Sequence, residues 1–129
     1  MASQPMARVL INDATIVGAG VVRRYPADPG TFQLGRRADM GEVDLDYTAL
    51  VGYVVADQAG VLEVWQSGQA ADVNGVAPVA DATLVDAIVV PAATLTPITV
   101  VIRAPFGRVE FTDGGAGNTV YRLFLRAIQ

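Results

Sequence analysis

Asp39, Glu42, Asp44 and Asp46 form the densest group of side chains in the sequence that could do chemistry. On an extended strand, side chains two positions apart share a face, so Glu42, Asp44 and Asp46 would line up as oxygen donors. Such a row could chelate Ca²⁺, or supply the acid and nucleophile of a glycosidase. It lacks the spacing and the loop glycine of an EF-hand, however. Carboxylates at alternate positions are also what a solvated strand edge carries, and that is the simpler expectation. No residue is assigned to catalysis or to a metal.

The rest of the catalytic repertoire is thin. The chain has no Cys and no His, all nine basic residues are Arg, and the two Ser are Ser3 and Ser67. Thiol nucleophiles, imidazole or thiolate zinc sites, His-based triads and Schiff-base lysines are therefore excluded. Gly18-Ala19-Gly20 and Gly114-Gly115-Ala116-Gly117 look at first like phosphate loops, but no helix or Lys follows either one, so they are expected to be turns. The expectation is a protein that is not an enzyme and needs no cofactor.

Trp65 and the tyrosines offer a different chemistry. Flat aromatic faces can stack on sugars, although Tyr25, Tyr47, Tyr53 and Tyr121 are expected mostly in the core or an interface. Trp65 shares its strand face with Glu63, which points it outward and suits a protein contact better than a glycan. Arg23-Arg24 and Arg36-Arg37 are two basic pairs of the kind enriched at interfaces, or simply solvated.

These side chains must be held by strands. Short β-branched runs separated by Gly, Pro, Asp and Asn predict strands near Arg8–Asn12, Thr15–Val17, Val21–Tyr25, Asp44–Leu50 and Gly52–Ala56. Further strands are predicted near Val61–Gln66, Ala82–Val90, Ile98–Arg103, Arg108–Thr112 and Val120–Ala127. Pro26 to Gly41 and Ser67 to Pro78 read as irregular. At the end of the chain Tyr121, Leu123 and Leu125 share the inward face, leaving Arg122, Phe124 and Arg126 outward. A hairpin closed by the loop 113–118 would set Phe111 opposite Tyr121 and pair Glu110 with Arg122. Tyr53, Val54 and Val55 are apolar on both faces, as in a central strand buried on both sides, or one whose second side is buried at a subunit interface.

A 129-residue chain suits one domain, and residues 8–129 are read as a single antiparallel β-sandwich of jelly-roll type. Residues 1–7, with the Gln4-Pro5 step, are read as a flexible N-terminal arm. The chain is 52% hydrophobic and only 17% charged, so some apolar surface should be covered by another molecule. A net charge of −4 argues against nucleic acid as a partner. No apolar run reaches the roughly 18 residues of a membrane span, and the first residues lack a secretory signal.

The second half has a further character. Leu50-Val51-Gly52-Tyr53-Val54-Val55-Ala56-Asp57-Gln58-Ala59-Gly60 is followed by Leu62-Glu63-Val64-Trp65-Gln66-Ser67. Later come Arg103-Ala104-Pro105-Phe106-Gly107-Arg108-Val109 and the closing Tyr121-Arg122-Leu123-Phe124-Leu125-Arg126-Ala127. From about Leu50 to Ala127 the chain resembles small virion structural proteins of tailed bacteriophages, in particular capsid decoration (cement) proteins. The resemblance implies a chain made in the host cytoplasm that binds the major capsid protein on the capsid exterior. It would do so as a homo-oligomer, with a trimer expected, and stabilise the shell. Trp65, Arg122, Phe124 and Arg126, with Gln4 and Pro5 of the arm, are the expected contacts. Two other classes stand beside it: a tail-associated carbohydrate- or receptor-binding β-sandwich module, and a hydrolase using the Asp39–Asp46 carboxylates.

Overall fold

A computed structural model of the chain describes residues 7–27, 31–34, 47–67 and 84–129, and among these described residues the short apolar runs become nine strands. They are β1 (Ala7–Asp13), β2 (Val22–Tyr25), β3 (Phe32–Gln33), β4 (Ala49–Ala56) and β5 (Gly60–Ser67). β6 (Leu84–Val90), β7 (Thr96–Val101), β8 (Phe106–Asp113) and β9 (Tyr121–Ile128) complete the set. No helix occurs among the described residues.

The strands form two antiparallel sheets, the first in the order β1-β9-β4-β7 and the second β2-β8-β5-β6, with the short β3 also on β8. The pairing is nested. β1 lies against β9, β2 against β8, β4 against β7 and β5 against β6, as though one long hairpin had been rolled up. That is the jelly roll, in which closure of two sheets on each other hides their apolar faces. The expected β-sandwich is the observed fold.

Alternation fills the space between the sheets. Leu50, Val54 and Ala56 of β4, Leu62 and Val64 of β5, Val109 and Phe111 of β8, and Tyr121, Leu123, Leu125 and Ala127 of β9 are all buried there. Each large side chain so removed from water stabilises the fold by roughly 1.5–3 kcal/mol. A polar side chain, that of Gln66, shares this interior. Gln66 is 0% exposed and ties the β7–β8 connection to β5. Its Nε2 donates to the Val101 carbonyl at 3.0 Å, and its Oε1 accepts the Arg103 N–H at 2.7 Å and the Ala104 N–H at 3.2 Å. Gln66→Leu keeps the bulk but strands these backbone groups, each worth roughly 1–3 kcal/mol when left unsatisfied. The variant should unfold at clearly lower urea concentration with an unchanged denaturant slope.

Several expectations need correction. β8 and β9 do not form a hairpin, because residues 114–120 carry the chain from the second sheet to the first. Phe111 and Tyr121 do meet, with ring centroids 4.9 Å apart, but across the core rather than along a ladder. Glu110 pairs with Arg24 and Arg108, while Arg122 bonds Asn12. Thr15–Val17 is not a strand: the Thr15 and Ile16 carbonyls accept the Arg23 guanidinium in place of a neighbouring strand. Within the stretch expected as Asp44–Leu50 and Gly52–Ala56, a single unbroken strand runs from Ala49 to Ala56. β3 appears within a stretch read as irregular.

Candidate functional site

The outward face of the first sheet gathers three of the residues expected to make contacts, Arg122, Phe124 and Arg126. β9 and β4 lie side by side at its centre, with Arg122, Phe124, Arg126 and Ile128 opposite Val55, Tyr53, Val51 and Ala49. β7 adds Pro97, Thr99 and Val101 on one flank, and β1 adds Val9 and Asn12 on the other. Inward neighbours alternate with these residues, so burying Leu123, Leu125, Leu50 and Val54 forces this set outward. The face is unusually apolar: Val9 is 55% and Val101 62% exposed, and Val51, Tyr53, Val55 and Phe124 are half-buried. The Tyr53 and Phe124 rings stack at 6.0 Å. The outward positions of these four strands carry Arg122 and Arg126 and no acid.

The outward face of the second sheet is organised differently. Cross-strand register gives the rows Val22, Thr112, Val61, Val89 and then Arg24, Glu110, Glu63, Ala87. A third row runs Arg108, Trp65, Val85. Glu110 directly faces Glu63, a like-charge pair that is unfavourable alone. Arg24 at 3.0 Å and Arg108 at 3.3 Å from the Glu110 carboxylate offset it. Trp65 points outward as its parity requires, yet it is half-buried and the Arg108 guanidinium sits 5.1 Å from its ring centroid. That cation–π contact occupies a ring face a sugar would need. A shallow recess beside it is lined by Thr31, Ser67 and Phe106 as well.

The described carboxylates at the loop ends serve the fold. Asp113 accepts the N–H groups of Gly20, Gly115 and Gly117 at 3.2, 2.9 and 3.0 Å, and the Asn118 amide at 2.7 Å. The Gly117 N–H does most to hold its carboxyl below the ordinary aspartate value; burial works against it, and the other donors add to it. Asp57 caps the same loop from β4, taking the Val120 N–H first, with Thr119 through its side chain and backbone, and its carboxyl is likewise lowered. Between the sheets, the Tyr25 and Tyr121 hydroxyls lie 2.8 Å apart, and Tyr25 also donates to Asp13 at 2.7 Å. Burial raises both phenols; Tyr121 is pushed up to about 12, the Tyr25 hydrogen bond and Arg23 limiting the rise and Asp13 adding to it. For Asp13, burial alone would raise the carboxyl. The Thr15 and Tyr25 hydrogen bonds and the Arg23 charge outweigh it, so the net shift is downward. Each of these carboxylates accepts at least three hydrogen bonds from the protein's own donors, so they act as latches between strands and loops.

Arg122, Phe124 and Arg126 thus stand together on one face, and Trp65 stands on the opposite one. Gln4, Pro5 and the cluster Asp39, Glu42, Asp44 and Asp46 lie outside the described residues. Among the described residues no three of His, Cys, Asp and Glu gather as a metal site. Val9 and Val101 were missed because their membership depends on distant pairing; the double-sided apolarity of Tyr53–Val55 was the signal for the rest.

No family model and no curated protein matches the sequence. Among solved structures the chain is similar to the PBSX exported protein XepA, with TM-score 0.62 at 18% identity. The match covers 95% of this chain and 36% of that one, so the chain spans little more than a third of that protein's length. At this identity the likeness is one of fold, and the β-sandwich described above is what the two proteins share.

Proposed function

We propose that this chain is a structural module of a phage particle: a decoration protein that binds the capsid exterior as a homo-oligomer, as a trimer at threefold or quasi-threefold positions, and stabilises the shell. One observation carries the reading. The outward face of β1-β9-β4-β7 keeps Val9, Val51, Tyr53, Val55, Phe124 and Val101 at least partly in contact with water, a contiguous apolar surface of the kind that marks protein contacts. The resemblance of Leu50 to Ala127 to phage virion modules supports it, as does the shared fold with an exported protein of phage PBSX. The physical mechanism is linkage. A protein that binds the assembled shell but not its separated subunits stabilises the shell, by about 2.7 kcal/mol at a hundredfold excess over the dissociation constant. Symmetry lets a closed oligomer match the lattice.

Light scattering of the purified chain, followed by co-sedimentation with empty capsids, tests this. The expected result is an oligomer that pellets with capsids and raises their melting temperature. A strict monomer that stays in the supernatant would overturn the reading.

A further inference from the structure

Resting on that reading, we infer that the outward face of β1-β9-β4-β7 docks on a flat apolar surface of a different protein, one carrying carboxylates placed to meet Arg122 and Arg126. Charge is the argument. The chain as a whole is −4, yet the outward positions of these strands bear two arginines and no acid. Arg122 donates through Nη2 to Asn12 at 2.8 Å, while its Nε is buried without a hydrogen-bond partner. Arg126 is exposed in the row between Val9 and Val51.

Covering two guanidinium groups on an apolar sheet is unfavourable unless the occupant brings the opposite charge. A second copy presenting the same face cannot do so, since it would set arginine against arginine. The outward face of the second sheet is no better suited: its Glu110 and Glu63 stand beside Arg24 and Arg108, so that face brings no net negative charge. The occupant is therefore an acidic, apolar protein surface, which the proposed function makes the capsid. Arg122 and Arg126 are four residues apart on β9, about 13 Å at the rise of a strand, and this sets the spacing of the carboxylates they meet.

The probe is the empty capsid of the phage that encodes the chain, tested with the full chain and two variants that add the same residue to opposite faces. Arg126→Glu alters the docking face, and Val89→Glu alters the second sheet at a position 72% exposed. Circular dichroism verifies that both are folded. Wild type and Val89→Glu should co-sediment alike and lose binding as salt rises, whereas Arg126→Glu should bind at least tenfold more weakly. Equal binding by Arg126→Glu, or a loss confined to Val89→Glu, would overturn the assigned face and leave the capsid reading intact. A wild-type chain that binds no capsid would overturn both. Self-association that Arg126→Glu abolishes would make a second copy the occupant and overturn the inference.

Discussion

Gly52→Ala is expected to remove a large share of the protein's stability, although it adds only a methyl group. A Cβ at Gly52 would lie 1.9 Å from the Phe124 carbonyl oxygen, 2.8 Å from its carbon and 3.0 Å from the Leu125 Cα. All three are backbone atoms, so no rotamer change can relieve the clash. β4 cannot withdraw either, because at Gly52 it is paired with Leu125 of β9 on one side and Ile98 of β7 on the other. Overpacking a core commonly costs about 1–3 kcal/mol, and a backbone collision at the centre of a sheet belongs at or above that upper end. Against a total stability of roughly 5–15 kcal/mol, this is a large share. Gly20→Ala is the control. Gly20 has φ 68° and nothing within 4 Å of the added methyl, so the change strains only the local backbone. That strain is worth about 1–2 kcal/mol. Urea titrations of the two variants should separate them widely, and comparable midpoints would show that the close approach at Gly52 is not a constraint on the fold.

The same position shows what the sequence made legible. The unbroken apolarity from Leu50 to Val55 marked a central strand, and it is one, but nothing local marked Gly52 as the point where two backbones nearly touch. Alternation correctly turned Tyr121, Leu123 and Leu125 inward and Arg122, Phe124 and Arg126 outward, because that property needs only the strand itself. Which strand lies alongside is set by contacts far away in sequence. For that reason β8 and β9 read as a hairpin when the chain actually changes sheets between them. The same limit hid the Arg108 guanidinium over Trp65, which exists only because β5 and β8 are neighbours, and it hid the two flanks of the candidate face, Val9 and Val101. The outward placement of the three β9 residues was therefore legible, and the extent of the face they share was not.

Asp113 braces the change of sheet between β8 and β9, and Asp113→Ala should also be strongly destabilising. Residues 114–120 have no ladder to satisfy their backbone, so one carboxylate collects Gly20, Gly115, Gly117 and the Asn118 side chain. Asn118 in turn accepts the Gln58 N–H and donates its own to Val17, so the loops that close this end of the sandwich all pass through Asp113. A hydrogen bond to a charged group is worth about 1.5–3 kcal/mol, and because the four are made by one group a loss of about 3 kcal/mol is expected rather than their sum. The pH dependence follows from the sign of the shift. The folded-state carboxyl lies below the ordinary value of 3.8, so the folded protein holds the proton less tightly than the unfolded chain. Its contribution is complete above that value and is lost as pH falls through the lower folded-state value. Asp13 and Asp57 are shifted in the same direction and add to the same acid-side loss. Asp113→Asn keeps the shape of the side chain but cannot ionise, so it should be less stable than wild type near neutral pH, and the difference should shrink as acid protonates wild-type Asp113. Thermal melts of the two proteins from pH 7 down to pH 2 measure this; curves that stay parallel throughout would mean that the charge of Asp113 does not hold the β8–β9 crossing.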